Sequence, residues 1–136
     1  EEIFEGNKGF KEAIEGEFTI DWQKEDLEKV KKTIIKKYNG EIHSQSILEG
    51  VQELVQSNSF SPDDIEKIDL NTFNVAYHII GGGEEGSKEN IHTKEEADHS
   101  LPYMIAAMIL DGNVLPAQYL PEWILKDDVQ KLLRKV

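Results

Sequence analysis

Ile68-Asp69-Leu70-Asn71-Thr72-Phe73-Asn74-Val75-Ala76-Tyr77-His78-Ile79 is the stretch on which the fold class turns. Apolar and polar side chains alternate from Ile68 to Thr72 and again from Val75 to Ile79, and a period of two marks a strand with one buried face. The phase slips at Phe73-Asn74, as at a bulge, so the stretch reads as one long strand or two in line. A second strand is expected upstream, over Val30 to Tyr38. Leu27, Val30, Ile34 and Tyr38 also fit a helical stripe, but the β-branched run Thr33-Ile34-Ile35 and the turn pair Asn39-Gly40 favour a strand.

Around these two strands the sequence is helical. Ile47, Leu48, Val51, Leu54 and Val55 recur at three and four residues, which predicts an amphipathic helix over 44–57. Ser61-Pro62-Asp63-Asp64 has turn chemistry. Thr93-Lys94-Glu95-Glu96 has the spacing of a capping box and opens a further helix. Pro102 interrupts it, and Ser100-Leu101-Pro102 starts another through Asp111, closed by Gly112, with Met104, Ile105, Met108 and Ile109 as its buried face. Beyond Pro116 and Pro121 a last helix from Asp127 buries Val129, Leu132, Leu133 and Val136. Near the start, 1–16 reads as a short helix around Phe10, Ala13 and Ile14 stopped by Gly16. Phe18 to Trp22 reads as extended, and Glu25 to Glu28 as an acidic turn. The sum is an α+β fold in two layers, helices on one face of a small sheet. Two strands are a weak sheet, so it is expected to be incomplete alone and to borrow strands from beyond Val136 or from another copy of the chain.

A chain of 136 residues suits a single domain, 1–136. Its 31% of charged and 38% of apolar residues suit a domain with much surface for its core, or one cut away from a partner surface. The net charge of -12, from 27 acidic and 15 basic residues, argues against a nucleic-acid partner. No apolar run approaches the roughly 18–20 residues that span a bilayer. Glu1-Glu2-Ile3-Phe4 has neither the basic nor the apolar region of a signal peptide. There is no Cys, hence no disulfide, thiolate zinc site or cysteine-held cluster. A soluble, cytoplasmic protein without a membrane partner is expected. Lys24, Lys29, Lys31, Lys32, Lys36 and Lys37 form a local cationic strip, either a solvated face or an attractor for an anionic ligand.

Four motifs bear on chemistry. Gly81-Gly82-Gly83 with Gly86-Ser87-Lys88 resembles a phosphate loop only loosely, lacking the Gly-Lys-Ser/Thr ending, and reads better as a flexible loop beside a site. His43, His78, His92 and His99 show no metal-ligand spacing. Lys36 to Ser46 crowds acids, bases and amides where a strand end meets a helix N-terminus; it is either an anion site or a capping Ser44 with solvated Lys36 and His43. Glu96 to Tyr103 crowds polar groups at a Pro-marked break. There Tyr103 either serves a proton transfer or lies half-buried in the core behind a capping Ser100.

Lys37-Tyr38-Asn39-Gly40-Glu41-Ile42-His43-Ser44-Gln45 with Glu49-Gly50, and Thr93 to Tyr103 continuing to Leu110-Asp111-Gly112, resemble the two signatures of the MmgE/PrpD family. Phe4-Glu5-Gly6 with Gly9-Phe10 resembles the segment that enters the same domain. The resemblance implies a two-part enzyme with its site between a large helical domain and a small α+β lid. Only the lid is represented here, inactive by itself, so the missing helical domain of the same protein is an expected partner, and a homodimer an expected assembly. It implies a small polycarboxylate substrate, no cofactor and no metal, with water eliminated from 2-methylcitrate; relatives decarboxylate cis-aconitate or epimerise iminodisuccinate. It places the site lysine at Lys36, puts Asn39 where a proline is usual, and makes Lys36, His43 and Tyr103 catalytic, with Glu41, Gln45, His99 and Ser100 binding substrate. In that scheme a base removes the proton beside a carboxylate. Lys36 and neighbouring donors stabilise the enolate-like charge, and an acid protonates the leaving hydroxyl. The competing reading is a non-catalytic α+β module that associates through its open sheet edge.

Overall fold

The computed structural model describes residues 3, 6, 9–15, 21, 23–24, 28–84 and 86–136. It divides into two compact units, Glu1–Ile34 and Ile35–Val136. In the first, α1 (Phe10–Ala13) is a single turn that starts after Gly9, where a short helix is expected. Gly16, the extended stretch at 18–22 and the acidic turn at 25–28 lie outside the described residues, apart from Asp21 and Glu28. Lys29–Lys32 is a 3-10 turn. Lys24 pairs with Asp21 at 3.5 Å and Lys31 with Glu28 at 2.9 Å, all on the surface, so these two members of the cationic strip are neutralised locally.

The second unit is built on helices: α2 (Gln45–Ser57), α3 (Asn74–Ile80), α4 (Lys94–Ala97), α5 (Leu101–Asp111), α6 (Pro121–Ile124) and α7 (Asp127–Leu133). Three starts follow their sequence signals. Ser61 and Asp64 form a reciprocal capping box at the 3-10 turn Pro62–Asp64, and Thr93 and Glu96 form another at α4. At α5, Ser100 caps the helix and Pro102 occupies its first turn, where a missing N–H costs nothing. Gly112 closes α5 at φ 70°, a left-handed conformation that suits glycine. Every residue from Leu101 to Met108 is buried, so α5 is enclosed on all sides, not only on its expected face. It packs chiefly against α7, which inserts Val129, Leu132 and Leu133, and against α2, which inserts Leu48.

The expected sheet is absent: no strand forms among the described residues, and the α+β assignment gives way to a helical fold. The upstream stretch is a 3-10 turn followed by backbone, extended at Thr33, that joins no ladder among the described residues, and Ile35 is 90% exposed. Ile68 to Thr72 keeps its alternation, with Ile68 and Leu70 turned to the core, but its recorded tie is a bond of 2.7 Å from Ile68 N–H to the Lys135 carbonyl. An alternating segment is a strand only where another offers it a ladder. Val75 to Ile79 is helical. Ala76 and Ile80, four apart, are fully buried, whereas Val75 and Tyr77, the supposed inner face, are 48% and 50% exposed. The phase slip at Phe73-Asn74 is thus the start of a helix and not a bulge. Gly81 and Gly83 then end α3, their N–H groups donating to Ala76 and Tyr77 carbonyls. No helix among the described residues is long and apolar enough to cross a membrane.

Candidate functional site

Lys36 to Ser44 is pinned from three sides. Lys37 Nζ meets Glu49 Oε2 of α2 at 2.7 Å, and the Tyr38 hydroxyl donates to the same oxygen at 2.9 Å. Gln45 clamps the backbone of Tyr38, accepting its N–H at 3.0 Å and donating to its carbonyl at 3.2 Å. Asn39 N–H donates to the Val114 carbonyl beyond α5, and Glu41 N–H to the Asp98 carbonyl beyond α4. Gly40 sits directly on the core: a β-carbon there would run into Met104 Sδ and stand 3.1 Å from Ser44 Oγ. Only a residue without a side chain lets this turn lie so low.

The result is a small polar cavity of about 300 Å³, lined by Lys36, Asn39, Gly40, Glu41, Ile42, Asp98 and His99. Lys36 Nζ donates to the Gly40 carbonyl at 2.7 Å, which fixes the cation at its rim. A hydrogen bond of 2.6 Å joins His99 Nδ1 to Asp98 Oδ1, and one of 2.7 Å joins His43 Nδ1 to Glu41 Oε1. Beside a carboxylate Nδ1 carries the proton, so each neutral ring keeps Nε2 as its free lone pair. Glu41 also accepts the His43 N–H at 2.7 Å, and Lys94 holds the other oxygen of Asp98 at 3.1 Å. Next door, Lys37 and Tyr38 hold the Glu49 carboxyl below its ordinary range, and Glu49 in turn raises Lys37.

A sequence model of the MmgE/PrpD C-terminal domain matches residues 38–136. The chain belongs to the MmgE/PrpD family. Neither the curated proteins nor the solved structures yield a significant match. The two segments that resemble MmgE/PrpD signatures, far apart in sequence, both contribute to this cavity; the matched span contains every lining residue except Lys36, two places before its start.

Of the residues that the MmgE/PrpD resemblance singles out, Lys36, Glu41 and His99 line the cavity together. His43 joins them through Glu41 and packs its ring against Phe73, centroids 5.5 Å apart. The other three are engaged elsewhere. Gln45 is spent on the Tyr38 backbone. Buried Ser100 accepts the Tyr103 N–H at 3.2 Å and donates to the Lys88 carbonyl at 2.8 Å. Tyr103 is fully buried, its hydroxyl donating to the Gln118 carbonyl, and burial pushes its pKa up. Asp98, which orients the His99 ring and adjoins it in the segment from Glu96 to Tyr103, is the lining carboxylate that residue types alone did not single out. His92 assists the start of α4, its N–H donating to Glu96 at 2.8 Å, and His78 lies in α3. No group of three or more His, Cys, Asp or Glu among the described residues is arranged to hold a metal. Larger cavities exist, one of about 800 Å³ beside α7 and an apolar one of about 690 Å³ beside α2, but neither is lined by any of the seven site residues that the resemblance singles out.

Proposed function

We propose that this cavity binds carboxylates of a small polycarboxylate and, in the longer polypeptide, takes part in eliminating water from a substrate of the 2-methylcitrate type. The observation that supports this is the convergence of both signature segments on one polar cavity, in a family that includes lyases. The Lys36 ammonium gives one of its three donors to Gly40 and keeps two for a substrate carboxylate. His99, oriented by Asp98, offers Nε2 as the base that takes the proton beside that carboxylate. The C–H electron pair spreads into an enolate-like charge, which lies against the Lys36 ammonium. His43, in its protonated form, gives the Nε2 proton to the departing hydroxyl; the C–O bond breaks, and alkene and water leave. Gln45, Ser100 and Tyr103 are assigned to placement, since each already holds a backbone group.

The test is the ultraviolet absorbance of the conjugated double bond formed from 2-methylcitrate, run on the longest natural polypeptide carrying this chain. Growth of absorbance is expected, reduced by Lys36→Ala on the order of 100-fold or more. A flat trace from folded wild-type protein would sink the dehydratase reading and turn the search to cis-aconitate decarboxylation and iminodisuccinate epimerisation.

A further inference from the structure

A polycarboxylate needs hydrogen-bond donors, and few side chains on this cavity have donors to spare. Glu41 and Asp98 line it against one ammonium, that of Lys36, and a carboxylate only accepts. Both are already engaged, Glu41 by His43 and Asp98 by His99 and Lys94. Lys36 gives one of its donors to the Gly40 carbonyl, and the neutral His99 ring spends its Nδ1 proton on Asp98. The remaining polar side chain on the lining is that of Asn39, an exposed residue. The hydrogen bond that Asn39 makes among the described residues is a backbone one, its N–H donating to the Val114 carbonyl at 2.8 Å. Its carboxamide, with two N–H donors and a carbonyl, is left unengaged.

The backbone that carries Asn39 is firmly placed. Gln45 clamps Tyr38 before it, and Gly40 after it lies directly on the core beside Met104. The Lys36 ammonium reaches the carbonyl of that same Gly40, so amide and ammonium belong to one short turn. Two carboxylates to one ammonium leave the lining with an excess of negative charge, which opposes a polyanion. A neutral amide adds donors without adding to that repulsion, and its hydrogen bond to a carboxylate is charge-assisted. The resemblance to MmgE/PrpD signatures gives Asn39 no role.

We propose that Asn39 is a further ligand-binding residue of this cavity, its carboxamide donating to a second carboxylate of the molecule whose first is held by Lys36. The proposal rests on the polycarboxylate reading above and adds a residue to it. Lys36 supplies the charge for one carboxylate, and Asn39 supplies neutral donors for the next.

The experiment measures binding of tricarballylate, a tricarboxylate with no hydroxyl to eliminate, by calorimetry on the longest natural polypeptide carrying this chain. Wild type, Lys36→Ala, Asn39→Ala and Asn39→Asp are compared, each with its thermal midpoint. Asn39→Ala is expected to weaken binding about ten-fold or more without lowering the midpoint, because the bond to Val114 is made by the backbone and survives. Asn39→Asp keeps the shape but exchanges the donors for a third carboxylate, and is expected to bind more weakly still. If Lys36→Ala loses binding while both Asn39 variants bind like wild type, the role of Asn39 is overturned and the cavity reading stands. Binding by Asn39→Asp at the wild-type level would also overturn it, since the side chain would then not be acting as a donor. A midpoint several degrees lower in Asn39→Ala would overturn it by revealing an internal partner for the carboxamide. If wild type itself does not bind, or if all three variants bind equally well, the polycarboxylate reading of the cavity fails and Asn39 falls with it.

Discussion

At Asp98 one residue holds three neighbours: Oδ1 the His99 ring, Oδ2 the Lys94 ammonium, and its backbone carbonyl the Glu41 N–H. Asp98→Asn keeps the size and the backbone bond but replaces an acceptor-only group with one that also offers an N–H₂. The His99 tautomer and ring orientation are then no longer fixed. If the proposed function holds, turnover by the longest natural polypeptide carrying this chain is expected to fall about 100-fold with little change in KM, and stability to change by less than about 1 kcal/mol, since the Lys94 link is exposed. Steady-state kinetics and chemical denaturation check both halves; an unchanged kcat would remove His99 from the role of base. Lys36, Glu41 and His99 were legible in the sequence as polar groups crowded at breaks between elements. Gln45 and Ser100 looked the same there, yet they are occupied by backbone groups. Residue types show which atoms can bond, whereas only the fold shows which bonds are already taken.

Among the elements, α2 and α7 were readable from a periodic apolar set, α4 from the capping box of Thr93 with Glu96, and α5 from both kinds of signal, with Ser100 and Gly112 at its ends. For α3 the signals conflicted. Val75-Ala76-Tyr77-His78-Ile79 alternates by side-chain type, but Ala76 is small enough to count as either face, and it is Ala76 with Ile80 that faces the core. A strand would bury Val75 and Tyr77 and leave position 76 free to grow. In the helix, Ala76→Leu forces extra methyl groups into a filled site and is expected to cost about 1–3 kcal/mol. Val75→Ala, at a half-exposed position, should cost less than about 1 kcal/mol. Urea denaturation of the two variants decides between these structures: the reverse order of effects would restore the strand. The missing sheet has a similar cause. Alternation in 68–72 describes how side chains divide between core and solvent, and it does not say whether a neighbouring backbone is there to pair with.

For the whole molecule, the net charge of -12 and the pKa shifts act on stability in different pH ranges. Glu96 is held below its ordinary value of 4.5 by the N–H groups of His92 and Thr93, and Glu49 by Lys37 and Tyr38. A depressed carboxyl stabilises the fold above its unfolded pKa, and that contribution is lost as pH falls through the folded one. At the other end Tyr38 is raised above 10.0 mainly by burial, as are Tyr103 and Tyr119, and Lys37 is raised above 10.5 by Glu49. Their contributions are complete below those ordinary values and disappear as pH rises through the shifted ones. Stability is therefore expected to hold between 4.5 and 10.0 and to fall beyond either limit. Self-repulsion opposes this pattern only mildly, since it relaxes as the net charge shrinks toward the pI near 4.7. Glu96→Gln isolates the acid side. Glutamine keeps the capping geometry but cannot ionise, so it imitates protonated Glu96 at every pH. Melting curves of wild type and Glu96→Gln should differ at neutral pH, with wild type higher, and converge as pH falls below 4.5. A gap that stays constant across that range would mean that the loss comes from altered packing at α4, and that the carboxylate charge on the two N–H groups contributes nothing to the fold.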